Sequence, residues 1–160
     1  MSRLKPRPIT SVSDLQGLIG AGLDPSPWLT VTQEQVNAFA EATLDRQWIH
    51  IDQQRAAAGP YGGTVAHGYL VMSLGPHLLR EVLDLSALRA GINYGLNKLR
   101  FPAPTPVGCR IRLRIAVLAV EEVKDGARVT MQYTFEREGE DKPVCVAEVI
   151  SQLLFHTVDR

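Results

Sequence analysis

Apolar and polar positions alternate along much of the second half of the chain. The alternation covers residues 110–117, residues 129–135 and, less regularly, residues 144–155. A period of two residues predicts strands that bury one face, so these three segments are expected to lie in one sheet. The sequence Lys-Asp-Gly at residues 124–126 separates the first two segments and predicts a hairpin turn of the Asp-Gly type.

The first half of the chain has the longer spacing that is typical of helices. Thr32 is followed three residues later by Gln35, which is the pattern of a capping box at a helix start. Apolar residues then recur three and four positions apart, which predicts a helix that ends near Thr43. Asp45 is therefore expected in a loop just beyond the end of that helix.

A mostly apolar stretch at residues 67–83 predicts a longer helix near the middle of the chain. It is apolar on almost every side until Arg80, which is typical of a buried helix. Gly75-Pro76 interrupts it, so we expect a kink or two abutting helices there. One strand precedes the helices and four strand patterns follow Gly91. This order predicts an α+β fold, with an antiparallel sheet folded around one central apolar helix.

The length of the chain and its first residues set the expected domain organisation. A chain of 160 residues suits one domain, because that size allows a large hydrophobic core. Residues 1–10 are basic, contain Pro6 and Pro8 and have no apolar stretch behind them. We expect a single domain over residues 1–160, in which residues 1–10 form a flexible tail.

Charge and cysteine content narrow the possible partners and compartments. Lys plus Arg and Asp plus Glu both number 17, so no net field attracts nucleic acid or an anionic membrane. No apolar run approaches the roughly 18 residues of a membrane-spanning helix. Cys109 and Cys145 lack the spacing of a metal or redox motif and are expected to be buried thiols. These features favour a cytoplasmic protein that binds neither nucleic acid nor a membrane.

Asp45 and His50 are the first candidates for catalytic residues. They lie five positions apart in a predicted loop, where a turn could bring both side chains to one water molecule. A carboxylate and an imidazole that share a water can move a proton at neutral pH. The alternative is structural, with Asp45 capping a turn and His50 bonded to the backbone. Asp52 is interpreted as the N-cap of a short helix at residues 53–58.

Gly68 and His67 are candidates at the predicted start of the central helix. The first N–H groups of a helix lack acceptors within it and carry partial positive charge, so the Gly68 amide could hold an anionic oxygen. A glycine also lets a thioester carbonyl approach closely. The alternatives are that Gly68 only permits tight packing and that His67 satisfies a turn rather than transferring a proton.

Two motifs together resemble a known family. The sequence DRQWIHID at residues 45–52, followed by GGTVAHG at residues 62–68, is similar to the hydratase motif of the MaoC-like dehydratases, the (R)-specific enoyl-CoA hydratases. The stretches NYGLNKLRFPAPTPVG and CVAEVI are similar to the branch that includes nodulation protein N. The resemblance covers residues 28–154. Trp48 departs from the family, because many members have proline there, and this puts the preferred acyl length in doubt.

The resemblance implies a fold, a reaction and roles for individual residues. The fold is a hot-dog fold, a curved antiparallel sheet around a long central helix. Members are usually homodimers whose acyl-thioester tunnel lies near the subunit interface. The reaction is the reversible syn addition of water to a trans-2-enoyl-CoA, with CoA as part of the substrate and no metal or redox cofactor. The implied catalytic residues are Asp45, His50 and the Gly68 amide.

Further residues are candidates for contacts with an acyl-CoA substrate. Those near the motif are Gln47, Trp48, Tyr61 and His67. Lys98 and Arg100 are the leading candidates for the CoA phosphates, followed by Arg110, Arg112 and Arg114. Alternating arginines on a strand are more often a solvated face, and Trp48 and Tyr61 could equally be packing residues.

Three other functions remain open from the sequence. A hot-dog thioesterase would direct the water at the thioester carbonyl, although the His-Gly segment favours a hydratase. A hydratase could act on substrates linked to acyl carrier protein, although the balanced charge gives no basic docking patch. A non-catalytic acyl-thioester binding protein would not need both Asp45 and His50.

Overall fold

The computed structural model describes residues 5–156, and each helix begins where the chain offers a cap or a turn. Ser11 and Thr32 form the capping boxes of the first two helices, as predicted for Thr32. The elements in chain order are β1 (Arg7–Pro8), α1 (Val12–Gln16), β2 (Leu29–Thr30), α2 (Gln33–Thr43), α3 (Trp48–Ile51), α4 (Gln53–Ala57), α5 (Gly68–Ser73), α6 (Gly75–Arg80), β3 (Leu83–Asp84), β4 (Leu88–Arg100), β5 (Arg110–Val123), β6 (Gly126–Arg137) and β7 (Cys145–Phe155).

The main sheet is antiparallel and has five strands in the order β2-β5-β6-β7-β4. The alternation predicted for β5 is confirmed, because its apolar side chains are buried while the arginines between them face outward. Irregular register occurs at three points of the β4–β7 pairing and once between β5 and β6. Such bulges bend strands and increase their twist, which curls the sheet.

The hairpin between β5 and β6 forms one residue earlier than the Asp-Gly pattern predicts. Lys124 and Asp125 make the turn, Asp125 adopts a positive φ of 63°, and Gly126 already pairs with Val123 in the strands. A Cβ on Gly126 would overlap the carbonyl oxygen of Leu153 on β7. This glycine is therefore required by the close approach of a neighbouring strand and not by the turn.

Two abutting helices lie against the sheet at its centre. α5 contacts β7 and α6 contacts β5, and the break between them falls at Leu74, directly before Gly75-Pro76, which confirms the prediction of two abutting helices there. The helical segment ends at Arg80 rather than near Leu83, because Leu83 enters strand β3. A curled antiparallel sheet around a central helical segment is the hot-dog arrangement that the resemblance implies.

The prediction of a flexible tail over residues 1–10 is wrong for residues 7–9. Arg7 and Pro8 pair in parallel with β3, and the Ile9 side chain is fully buried in the core. The backbone pairing and the buried isoleucine offset the entropy of ordering this short segment. Residues 1–4 lie outside the described part of the chain.

The cysteines differ in how deeply they are buried. Cys145 is fully buried as expected, whereas Cys109 is only half-buried. Burial raises the pKa of both thiols, and that of Cys145 reaches about 12.

Over residues 5–156, no helix has the length and apolar character needed to cross a membrane.

Candidate active site

The end of α2 directs Asp45 into the site. Leu44 takes a left-handed conformation with φ of 62°, which turns the chain sharply after Thr43. The Asp45 amide then donates to the Thr43 hydroxyl at 3.4 Å, and Arg46 pairs with Glu41 at 2.7 Å. These contacts fix a tight corner at which the Asp45 backbone carbonyl and carboxylate lie beside the two histidines described below.

Hydrogen bonds from two distant parts of the chain, Gln33 of α2 and residues 64–65, hold the single turn of α3 that carries His50. The Gln33 amide donates to the His50 carbonyl at 2.8 Å, and the Thr64 hydroxyl donates to Gln33 Oε1 at 2.6 Å. The Val65 amide donates to the Ile49 carbonyl at 3.0 Å. The position of His50 is thus set by residues far apart in the sequence.

The His50 ring is buried and held in one tautomer. Its Nδ1 lies 2.6 Å from the Val65 carbonyl oxygen, which can only accept, so Nδ1 carries the hydrogen and Nε2 has the lone pair. Burial lowers the pKa of His50 below its ordinary value of 6.5, and the neighbouring His67 acts in the same direction. His50 is therefore a neutral imidazole near pH 7 whose Nε2 can accept a proton.

His67 lies directly against His50. The two rings stack with centroids 3.7 Å apart and planes inclined by 24°, and Phe39 of α2 packs on His67 at 4.9 Å. His67 Nε2 lies 2.9 Å from the Asp45 carbonyl oxygen. Its Nδ1 is buried and has no hydrogen-bond partner among residues 5–156.

The Asp45 carboxylate completes the cluster. It is 44% exposed, accepts from the Gln47 amide at 3.1 Å and lies 4.0 Å from His67 Nε2. Polar atoms of Asp45, His50 and His67 all lie within 4.8 Å of one another. A water molecule that bonds two partners at ~2.8 Å each spans about 4.5 Å between them. The structure therefore brings Asp45 and His50 close enough to share one water.

The Gly68 backbone lies beside the cluster at the first residue of α5. A Cβ at this position would lie 2.8 Å from the Phe101 ring, so only glycine leaves room for that ring. Gly68, Phe101 and Tyr61 also line an open cavity of about 360 Å³. The packing role that the sequence left open for Gly68 is present, and Gly68 is a lining residue of this cavity.

The cluster contains the residue types of a metal site, but the rings are oriented unfavourably for one. A metal bound by both histidines would lie in the plane of each ring at about 2.1 Å from each nitrogen. The ring planes of His50 and His67 are close to parallel, and one nitrogen of each ring already faces a backbone carbonyl. The geometry suits proton transfer better than shared metal coordination.

Several predicted substrate contacts have other partners in the structure. Trp48 packs on Gly59, and its ring centroid lies 4.3 Å from the Arg55 guanidinium. Gln47 bonds the Asp45 carboxylate. The Asp52 carboxylate accepts from the Arg55 amide at 3.0 Å, which confirms the N-cap interpretation.

The basic candidates fall into two groups. Arg110, Arg112 and Arg114 pair with Glu138 and Glu136 across the β5–β6 pairing, which confirms the alternative of a solvated charged face. Lys98 and Arg100 are exposed on β4, and no acidic side chain within residues 5–156 pairs with them. The two lie just before Phe101, whose ring covers Gly68, and this places them near the cavity wall.

The sequence did not identify three residues that shape the site. Gln33 and Thr64 position His50, and Phe101 covers Gly68. Gln33 and Thr64 are 31 residues apart, so no local pattern connects them. Phe101 lies inside the stretch that carries the resemblance, but its contact with Gly68 depends on the folded chain.

Comparison with known proteins finds a matching family, similar sequences and similar solved structures. A protein family described as "MaoC like domain" matches residues 14–138. The chain is 48% identical over 145 residues to 3-hydroxyacyl-thioester dehydratase Z of Mycobacterium tuberculosis, covering 90% of this chain and 96% of that protein. It is 37% identical to nodulation protein N of Rhizobium meliloti, over 94% and 95% of the two chains. The crystal structure of a MaoC-like dehydratase from Rhodospirillum rubrum has a TM-score of 0.68 and 25% identity, covering 86% of this chain and 95% of that chain.

Proposed function

The chain belongs to the MaoC-like family, and we propose that it catalyses the reversible syn hydration of a trans-2-enoyl-CoA to an (R)-3-hydroxyacyl-CoA. The observation that carries the proposal is the buried His50, whose Nε2 holds the lone pair and which has a ring nitrogen within 4.8 Å of an Asp45 carboxylate oxygen. The relative that is 48% identical is named a 3-hydroxyacyl-thioester dehydratase, which supports a hydro-lyase acting on a thioester.

In the proposed reaction, Asp45 and His50 hold the attacking water. His50 Nε2 removes one proton while the water oxygen forms a bond to the β-carbon. The electrons of the double bond move toward the thioester oxygen, which gains negative charge. Nε2 then returns the proton to the α-carbon, so the atoms of one water are added and no electrons leave the substrate. The Asp45 carboxylate stabilises the transient imidazolium. This reaction requires no metal and no redox cofactor.

The Gly68 amide is the proposed donor to the thioester oxygen. It is the first N–H of α5, a position without an acceptor inside the helix. Gly68 lines a cavity, and a side chain at this position would meet Phe101. A fixed donor aimed at a developing oxyanion typically contributes ~3 kcal/mol to transition-state stabilisation.

The acyl chain has a candidate groove between the central helices and the sheet. A cavity of about 270 Å³ begins at Met72, one helical turn beyond Gly68, and is lined mainly by apolar residues that include Leu96, Tyr133 and Val149. Lys98 and Arg100 are proposed to contact the CoA phosphates, because they are exposed and unpaired near the cavity wall.

We further propose that two copies of the chain associate through β4. This strand forms one edge of the sheet, and Ile92, Tyr94 and Leu96 on it are about half exposed. An exposed apolar edge favours pairing with another strand. Pairing β4 with its own copy about a two-fold axis would cover these side chains and the acyl groove beside Leu96.

The first test measures hydration of crotonyl-CoA and of longer enoyl-CoA substrates, followed by chiral analysis of the product. The expected product is only the (R) alcohol. Asp45→Asn and His50→Ala should each lower turnover at least ~100-fold, because general acid–base groups typically contribute that much. Asp52→Asn and His77→Ala are matched controls outside the site and should keep wild-type turnover.

Two outcomes would contradict the proposal. If both site variants retain full activity, Asp45 and His50 are not the proton-transferring pair. If the wild-type protein releases free CoA instead of hydrating the substrate, it is a thioesterase. The same panel with substrates on acyl carrier protein measures which carrier is preferred.

A further inference from the structure

His67 has contacts that a proton-transferring residue does not need. Its Nε2 faces the Asp45 backbone carbonyl at 2.9 Å, and since a carbonyl oxygen only accepts, Nε2 carries the hydrogen. Its Nδ1 therefore holds the lone pair, yet this atom is buried without a partner among the described residues. A buried acceptor without a donor costs free energy, so the ring is retained for something other than its own hydrogen bonding.

The faces of the ring show what else His67 contacts. One face stacks on His50 at 3.7 Å and Phe39 of α2 packs against the ring at 4.9 Å. The titratable groups that face His67 are His50 from α3 and Asp45 from the loop after α2; α2 itself contributes only Phe39 there. His67 is thus in contact with both members of the proposed catalytic pair, through its edge with Asp45 and through its face with His50.

We infer that His67 is a positioning residue, which sets the Asp45 corner through its Nε2–H and the orientation of the His50 ring through stacking. The inference deepens the proposed function and rests on it. It assigns no proton transfer to His67. Because the ring is rigid and its two contacts are at right angles, a small movement of the ring displaces both catalytic groups together.

The two contacts can be removed separately by two substitutions. His67→Gln keeps an amide N–H near the Nε2 position but removes the ring from His50. His67→Phe keeps a ring against His50 but removes the donor to the Asp45 carbonyl. His77→Gln on α6 is a matched control, because His77 lies outside the cluster of Asp45, His50 and His67.

The experiment measures kcat and KM for crotonyl-CoA across pH, together with NMR of the His50 imidazole. Both variants should lower kcat about 10-fold or more with little change in KM, because displacement of the catalytic groups slows the chemical step more than it weakens substrate binding. The titration midpoint of His50 should rise in His67→Gln, where the covering ring is lost, and stay low in His67→Phe. The control should match the wild type throughout.

Other results would overturn the inference. If both variants keep wild-type kcat, or if KM rises while kcat is unchanged, His67 does not position the pair. If one limb of the pH profile disappears while the His50 tautomer and midpoint are unchanged, His67 transfers a proton itself. Circular dichroism reports whether each variant folds. If neither His67 variant folds, Phe39→Leu tests the same contacts, because it loosens the packing of Phe39 against the His67 ring. Unchanged kcat in Phe39→Leu would then overturn the inference.

The NMR measurement separates this inference from the proposed function. If the wild type hydrates no enoyl-CoA but His67→Gln still shifts the His50 midpoint, the proposed function fails and the positioning role stands. If the wild type hydrates no enoyl-CoA and the His50 midpoint is also unchanged in His67→Gln, both the proposed function and the positioning role fail.

Discussion

The outward-facing side chains of β5 and β4 differ in kind, although both strands are long and belong to one sheet. On β5, Arg112 and Arg114 pair with Glu136 of β6, and Arg110 pairs with Glu138 just after that strand. On β4, apolar side chains such as Tyr94 and Leu96 are about half exposed. The arginines of β5 are paired within one chain, whereas the row of apolar side chains on β4 is left in water. This difference supports the proposed association of two copies through β4.

The largest effect is expected from a charge placed on β4. Leu96→Arg should convert the proposed dimer to monomers, because a charge repeated across a two-fold interface costs several kcal/mol, about 3 kcal/mol or more. Light scattering after gel filtration measures the mass, and hydration of crotonyl-CoA should fall with it.

β5 provides the matched control for this substitution. Leu118 lies on β5 and is 46% exposed, against 45% for Leu96. Leu118→Arg should leave the mass of the dimer unchanged. Equal masses for the two variants would remove the distinction between the strands.

An intermediate effect is expected from Glu136, which joins two arginines of β5. Burial raises the pKa of Glu136, but the hydrogen bonds from Arg114 and Arg112 outweigh it, so the net pKa lies below the usual 4.5. A lowered folded-state pKa stabilises the fold above the unfolded value of 4.5, and this contribution is lost as the pH falls through the folded value. Glu136→Gln should therefore cost roughly 1 kcal/mol at neutral pH and much less in acid.

Urea unfolding of the wild type and of Glu136→Gln at neutral pH and near pH ~3.5 measures this difference, since carboxylates titrate in that range. If the difference in free energy of unfolding between the two proteins is constant or grows toward acid, Glu136 acts through packing and not through its charge.

The smallest effect is expected from Glu138, whose only arginine partner on β5 is Arg110. Both side chains are more than 40% exposed. Glu138→Gln should change the free energy of unfolding by less than ~0.5 kcal/mol, because single exposed pairs contribute little. The same urea experiment measures it. A loss as large as that of Glu136→Gln would indicate that the number of arginine partners does not matter.

The sequence predicted β5 well and β4 poorly for a physical reason. Alternation reveals a strand only when one face is buried and the other is in water, as on β5. The apolar residues of β4 also recur at every second position from Leu88 to Leu96, but no residue of that strand is buried and its pairing with β7 shifts register three times, so the alternation there does not mark a buried face. The capping box of Thr32 and Gln35 was predictable because both partners are close in the sequence.

Site geometry was only partly predictable for a related reason. The turn that brings Asp45 near His50 could be expected from their separation of five positions. The stacking of His67 on His50 joins residues 17 positions apart, and burial of Ile9 depends on β3, more than 70 residues away. Contacts of that range are set by the folded chain, and no local spacing encodes them.

The bond between His50 Nδ1 and the Val65 carbonyl leaves a single nitrogen on that ring to exchange hydrogen ions with a ligand. In the proposed reaction, the proton that Nε2 accepts must leave from the same nitrogen before another turnover begins. Since His50 is only 6% exposed, bulk water has little opportunity to exchange that proton. The hydroxyl and the new hydrogen of one product molecule would then originate from the same water.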